Sequence, residues 1–381
     1  MDATPPFESS GPDRPGLPHH VALILQGGGA LGAYQGGVFQ AMDEAGIAPN
    51  WLCGVSIGAI NSAIIAGNAP QDRLPRLRAF WELITPERPS LPFIDGDLPR
   101  RFENEAAALG ALLLGQPGFF KPNFPGPMFS LPGSAQATAF YDTAPLRDTL
   151  LRFVDFDRLN SGETRCAVGA VNVETGNFAY FDNATMTLGP EHIMASGALP
   201  PGFPMVEIGM EYFWDGALIS NTPLMHLLIN IESCSALVFQ VDLFSARGPI
   251  PRTLRDVGLR QKEIGYSSRT RLVTDFFKRE FALKNRLRDL LDRMPEAQLT
   301  PEDRAERRRL ANLPRLSVLE LIYEHAVYEG ESRDYEFSRR SMLDHWNRGY
   351  RATQQTLAQK DWLRIPSEAG IVSHDINRDL S

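Results

Sequence analysis

Two strand–turn–helix units stand back to back in the first 67 residues, and both turns are built from glycine. His20-Val-Ala-Leu-Ile-Leu25 is a continuous aliphatic run, the kind buried on both faces of a parallel sheet. It runs into Gln26-Gly27-Gly28-Gly29-Ala30-Leu31-Gly32. Residues 33–45 follow, helical in pattern despite their glycines, and Gly46 stops them. A second apolar run, Trp51-Leu-Cys-Gly-Val55, meets Ser56-Ile57-Gly58 and goes on to Gly67 in small and aliphatic residues with helical character. Strand, helix, strand, helix in that order predicts α/β architecture around a parallel sheet.

The second turn carries the first chemical signal. Gly54-x-Ser56-x-Gly58 between strand and helix is the pattern of a nucleophile elbow. Such a turn is tight and strained, and it lifts a serine hydroxyl at the end of a sheet. Flanking glycines let the strand and helix backbones approach. The helix that follows offers free N–H groups to developing negative charge. The plainer alternative is a serine that only caps a helix.

The first turn has two readings. Gly27-Gly28-Gly29-Ala30-Leu31-Gly32 fits G-x-G-x-x-G after a strand and before a helix, the setting of a dinucleotide site. A dinucleotide site also needs an acidic residue about 20 positions on. Here Asn50-Trp-Leu-Cys-Gly54 supplies none. Exposed N–H groups at a helix start serve better as an oxyanion hole for acyl transfer.

A serine nucleophile needs a base. None of the seven histidines sits in a compact turn motif, and each reads as a surface or packing residue. Asp215-Gly216-Ala217 differs, being an acid on a turn after Tyr212-Phe-Trp214, followed by residues too small to block it. A carboxylate bonded directly to the serine hydroxyl takes its proton without an imidazole, and an apolar pocket keeps it basic enough. On its own, Asp215 would pass for an ordinary turn acid.

The glycine loop, the elbow and Asp215-Gly216-Ala217, in that order, resemble the patatin-like phospholipase family of serine acyl hydrolases with a Ser–Asp dyad. Ala195-Ser-Gly-Ala-Leu-Pro-Pro-Gly-Phe-Pro204 and Asn221-Thr-Pro-Leu224 add to the likeness, which runs from about Val21 to Leu243. The resemblance implies a three-layer α/β/α sandwich with a mostly parallel sheet. It makes Ser56 the nucleophile and Asp215 the proton acceptor. Gly27, Gly28, Gly29 and Gly32 become the oxyanion loop, with the Gly28 and Gly29 N–H groups nearest the charge. Gly54, Gly58, Gly216 and Ala217 complete the motifs. It implies hydrolysis of acyl esters, glycerolipids often among them, with no metal and no organic cofactor. Leu31 departs from the pattern, since many members carry Arg or Lys there, and that bears on selection of phosphate-bearing headgroups. Two alternatives stay open. One is an esterase or thioesterase on soluble hydroxyacyl or short-chain esters, the other a non-catalytic lipid- or partner-binding protein on the same fold.

The rest of the chain divides by composition. Residues 1–18, rich in Pro, Gly and acid, read as a disordered tail without the charged-then-apolar order of a secretory signal. Residues 19–245 are expected to form the acyl hydrolase domain and 246–381 a mainly helical C-terminal extension. Residues 85–133 read as an irregular insertion at the mouth of a site. Phe93, Phe119, Phe120, Phe124, Met128 and Phe129 are scattered through it, and such aromatics pack inward more often than they form a lid or meet lipid. Residues 252–316 hold 17 Lys and Arg against 10 Asp and Glu, on a chain of net charge −8. Apolar residues at helical spacing there predict a basic amphipathic helix that packs on the catalytic domain; peripheral contact with an anionic membrane is the alternative. Further helices are predicted over 316–328 and 338–357. The overall negative charge argues against nucleic acid as a partner. Cys53, Cys166 and Cys234, far apart and unpaired in spacing, fit reduced thiols in the cytoplasm. No stretch is apolar for long enough to span a bilayer.

Overall fold

The computed structural model describes residues 18–87, 96–231, 235–267, 270–326 and 328–376. The tail expected over 1–18 therefore lies almost wholly outside the described residues, as do Phe93 and Cys234. The N-terminal half runs β1 (His20–Leu25), α1 (Ala33–Glu44), β2 (Trp51–Val55), α2 (Ile57–Ala66), α3 (Pro70–Ile84) and α4 (Asp97–Leu114). Next come β3 (Lys121–Pro122), β4 (Tyr141–Asp142), α5 (Ala144–Phe153), α6 (Phe156–Leu159), β5 (Arg165–Asn172) and β6 (Phe178–Asp182). Then follow α7 (Pro190–Ser196), β7 (Val206–Ile208), β8 (Glu211–Asp215), α8 (Leu224–Asn230) and β9 (Ala236–Asp242). The C-terminal region contributes α9 (Leu254–Tyr266), α10 (Thr270–Arg293), α11 (Pro301–Ala311), β10 (Arg315–Ile322), α12 (Arg339–Ala358) and β11 (Gly370–Asp375).

One nine-stranded sheet organises the chain, in the order β11-β10-β9-β1-β2-β5-β8-β7, with β6 also paired to β5. Six neighbouring strands, β11 through β5, are parallel, while β6 and β8 run antiparallel to β5 and β7 pairs antiparallel with β8. Alternation along β1 shows why both faces need helices. Val21, Leu23 and Leu25 enter a core with α1, α2, α3 and α12. Ala22 and Ile24 enter another with Leu227 of α8 and with Phe277 and Phe281 of α10. The result is the three-layer α/β/α sandwich with a mostly parallel sheet.

Two of the predicted boundaries need correction. Residues 315–322 form β10, not a helix, because a strand paired on both edges and covered on both faces reads as a nearly unbroken apolar run. Among the described residues the region after Pro251 does carry the four α-helices α9 to α12, yet it also extends the main sheet by β10 and β11. In α10, Phe277 and Phe281 pack onto the sheet as expected. Several arginines pair within the segment, Arg304 and Arg307 both reaching Glu296, at 2.9 and 2.8 Å, and Arg309 reaching Glu306 at 2.7 Å, while Arg255 reaches Glu105 of α4 at 2.7 Å. Among the described residues no helix is long and apolar enough to cross a membrane.

The two ends of the chain are locked together where α12 lies on α1. A Cβ on Gly37 would sit 1.8 Å from the Trp346 carbonyl oxygen, and one on Gly349 would sit 2.0 Å from that of Tyr34. The backbones touch because neither glycine has a side chain. Gly37→Ala is expected to destabilise the protein by about 1–3 kcal/mol, the usual range for overpacking, despite alanine's better helix propensity. Chemical denaturation of the purified variant checks this, and an unchanged or raised midpoint would contradict the packing described.

Candidate active site

The register of β5 brings the two predicted reactive residues together. β2 pairs with β5 as far as Val55↔Gly169, and β8 takes up the same edge at Ala170↔Asp215. Ser56, next after Val55, thus meets the end of β8. Close packing forces the turn at Ser56. A Cβ on Gly54 would lie 2.3 Å from the Gly58 carbonyl oxygen, and one on Gly58 2.2 Å from that of Leu25. β1, β2 and the start of α2 therefore approach as only glycine allows. Ser56 has φ 56° and ψ −124° and is the one non-glycine residue at positive φ among the described residues. Such strain persists only where the surroundings hold it.

Ser196 provides much of that hold. The Ser56 N–H donates to both the carbonyl and the hydroxyl oxygen of Ser196, each at 3.1 Å, and the Ser196 hydroxyl donates to the Gly169 carbonyl at 2.6 Å. Ser56 stands at the N-cap of α2, but its side chain makes no capping bond. Its hydroxyl lies near enough to Asp215 to favour the charged carboxylate there. The plainer alternative, a capping serine, is excluded by this geometry.

Asp215 is 1% exposed. One carboxylate oxygen accepts the Ala217 N–H at 2.8 Å. Burial dominates these bonds and pushes its pKa up to about 7. Gly216 has to be glycine, since its Cβ would meet the Gly169 carbonyl oxygen at 2.6 Å.

The glycine loop lies opposite. Gly27, Gly28 and Gly29 all line the cavity at Ser56. The Gly27 N–H is already committed, donating to the side-chain oxygen of Asn221 at 3.1 Å, while the Asn221 amide donates back to the Gly27 carbonyl at 3.0 Å. Among the described residues the Gly28 and Gly29 N–H groups have no protein acceptor. Gly29 turns at φ 54°. Gly32 lies beneath Ile57 and Trp81 and does not line the cavity. Leu31 is fully buried.

The cavity holds about 300 Å³ and is overwhelmingly apolar. Ile60, Leu199, Phe119, Phe120 and Phe203 supply one part of the lining. Phe244, Tyr266, Asp334, Tyr335 and Phe337 supply a second part, most of them from beyond Pro251, where no motif pointed to the site, and Phe337 lies against Phe119 with ring centroids 6.0 Å apart. The lining contains no Lys or Arg among the described residues, and its one charged group, Asp334, pairs with Lys262. A network behind the loop fixes this second part. Gln26 and Asn221 both donate to the Tyr266 carbonyl, at 3.1 and 2.9 Å, and Gln26 accepts from the Leu243 and Phe244 N–H groups. Ser196, Asn221 and Gln26 hold the elbow, the loop and the cavity lining in place, and sequence reasoning left them unassigned. The first two did lie in the stretches that carried the resemblance.

None of the seven histidines lines the cavity. His226, eleven positions after Asp215, bonds Asp182 at 2.8 Å, and Asp182 also takes the Arg165 guanidinium at 2.7 Å. Those partners hold its pKa down to about 2 against the opposing effect of burial. Among the described residues, no three His, Cys, Asp or Glu side chains gather as a metal site.

An α/β/α sandwich with a serine elbow, a facing glycine loop and a buried acid at the sheet edge defines a class of proteins. Residues 23–228 match the family described as Patatin-like phospholipase, and 264–369 match a second family described as Patatin phospholipase. The chain belongs to the patatin-like phospholipase family. Over 49 residues it is 51% identical to Lysophospholipase nte1 of Aspergillus terreus, covering 13% of this chain and 3% of that protein. The chain thus spans a small part of that relative. Among solved structures it is similar to VipD from Legionella pneumophila (14% identity, 89% of this chain and 67% of that one, TM-score 0.39). It is also similar to human GIVD cytosolic phospholipase A2 (12% identity, 91% and 60%, TM-score 0.41).

The buried acid has a consequence for stability. Its pKa in the fold lies above the ordinary value near 4, so the folded state keeps the proton longer than the unfolded chain. The destabilisation is absent below about pH 4, grows as pH rises and is complete above about pH 7. Asp215→Asn cannot ionise and escapes it. Its melting temperature is expected to gain on the parent's between about pH 5 and about pH 8. A difference that stays constant with pH would contradict an uncompensated buried carboxylate.

Proposed function

We propose that this protein is a serine hydrolase of lipid acyl esters, working through Ser56 and Asp215. The observation that carries the reading is a strained, elbow-held serine placed beside a buried acid, at an apolar cavity faced by two N–H groups without an acceptor among the described residues. Asp215 takes the hydroxyl proton as Ser56 Oγ bonds to the ester carbonyl carbon. The carbonyl oxygen gains the negative charge, and the Gly28 and Gly29 N–H groups receive it. Collapse breaks the bond to the leaving alkoxide, which departs with the proton from Asp215. Water then attacks the acyl-serine and gives its proton to Asp215. The carboxylic acid leaves, and Ser56 recovers its proton.

Gly27 and Gly32 act on the loop's shape in this scheme, not on the charge. The apolar walls receive the acyl part of the substrate. A lining without Lys or Arg offers a phosphate group no cation, in keeping with Leu31 in the loop, so selection rests on the acyl chain more than on the headgroup. Family membership supports the lipid ester class. We read residues 19–376 as one catalytic unit, because Tyr266 and Phe337 complete the cavity that Ser56 opens onto.

Ser56→Ala is expected to lose at least about 10³-fold in kcat with the fold intact, and Asp215→Asn to lose about 10²–10⁴-fold. His226→Ala should keep near-normal turnover. Since Asp215 acts as a base, kcat/KM should rise with pH and level off above an apparent pKa of about 7. A folded Ser56→Ala protein with normal turnover, or a histidine variant as inactive as Asp215→Asn, would refute the dyad.

A further inference from the structure

The segment from α4 to β4 inverts the usual placement of side chains. α4 turns Arg100, Asn104, Ala108 and Ala111 inward, and Arg100 bonds Asp344 at 2.6 Å. Its Leu98, Phe102, Leu109 and Leu113 face solvent. Beyond it, Phe124, Met128, Phe129 and Leu131 are 96, 92, 85 and 81% exposed. From Ala106 to Tyr141 the single charged residue is Lys121. The same segment shapes the cavity mouth. Leu112, Phe119, Phe120 and Tyr141 line it, and the Tyr141 hydroxyl donates to the Leu112 carbonyl at 2.8 Å. Phe119 and Phe120 thus turn inward as expected, whereas Phe124, Met128 and Phe129 turn outward.

We propose that this outward face docks on a lipid bilayer and seats the cavity mouth against it. The inference rests on the acyl-hydrolase reading of the cavity. An apolar surface continuous with an apolar cavity lets an acyl chain move from bilayer to Ser56 without crossing water. Large apolar patches mark protein or membrane contacts, and one feature favours the membrane. A protein interface is rimmed with polar and charged groups, and from Ala106 to Tyr141 this face carries Lys121 alone.

Docking of this kind is apolar and insensitive to salt. Contact through α10 would behave differently. That helix exposes Phe276, Leu283 and Leu290 amid Lys and Arg, so it would favour anionic lipid and weaken as salt screens it.

The test uses the full chain and phosphatidylcholine vesicles, with bound protein measured by flotation at low and high salt. The parent is expected to bind equally at both. Met128→Ser/Phe129→Ser/Leu131→Ser should weaken partitioning about tenfold or more and slow hydrolysis of vesicle lipid in step. Its turnover of p-nitrophenyl butyrate should stay unchanged, since these side chains lie outside the cavity. Phe276→Ser/Leu283→Ser should bind as the parent does. The proposal is overturned if the parent does not bind neutral vesicles, if the triple variant binds as the parent does, or if binding follows α10 and salt. A dimer of the parent that the triple variant abolishes would assign the face to a second copy and equally overturn it. Salt-independent binding lost in the triple variant, from a parent that hydrolyses no ester, would support the docking face and refute the acyl-hydrolase reading alone.

Discussion

A carboxylate without a cation sits at the base of this site, and much of the surrounding structure exists to keep it there. Asp215 is almost wholly buried, and the groups that offset its charge are the Ala217 N–H and the nearby hydroxyl of Ser56. In the ionised state such a group is costly, and the cost appears as a proton affinity lifted to near neutrality. In the proposed mechanism the lift gives this aspartate the strength of a general base, a task that falls to histidine in most serine hydrolases. The buried pair Arg165–Asp182, joined by His226, shows the opposite case in the same fold, where full pairing makes an aspartate a weak base with a structural part.

The sheet edge explains how strain at Ser56 and desolvation at Asp215 coexist. β2 and β8 share one edge of β5, and the Ser196 hydroxyl bridges the Ser56 N–H to the Gly169 carbonyl beside it. The serine and the acid are therefore referenced to the same strand. Across the cavity, Asn221 uses its amide to hold Gly27 by both backbone groups and leaves the next two N–H groups unpaired. That amide also reaches the Tyr266 carbonyl, which ties the loop to the end of α9. The C-terminal region is thus a wall of the cavity as well as an extension of the sheet.

Legibility in the sequence followed the range of the interactions. The glycine loop and elbow could be read because close backbone approach restricts residue type within a few positions: Gly54 and Gly58 admit no Cβ. Asp215 stands out as a candidate only in combination with them, since nothing local separates a buried acid beside a serine from a turn aspartate. β10 passes for a helix in the sequence because a doubly covered strand has no period of two to betray it. Tyr266, Tyr335 and Phe337 reach the cavity through contacts spanning the length of the chain, and no local pattern encodes these. The insertion shows both outcomes within a few residues. Phe119 and Phe120 turn in, Phe129 turns out, and their sequence neighbourhoods do not differ in kind.

The most direct measurement is a crystal structure of the protein inactivated by an alkyl phosphonate, whose tetrahedral phosphorus stands for the carbon under attack. The account predicts phosphorus bonded to Ser56 Oγ, its charged oxygen accepting from the Gly28 and Gly29 N–H groups, and Asp215 beside the serine oxygen with no histidine in reach. An adduct on another serine, an oxygen turned away from those two N–H groups, or an imidazole against Oγ would contradict it.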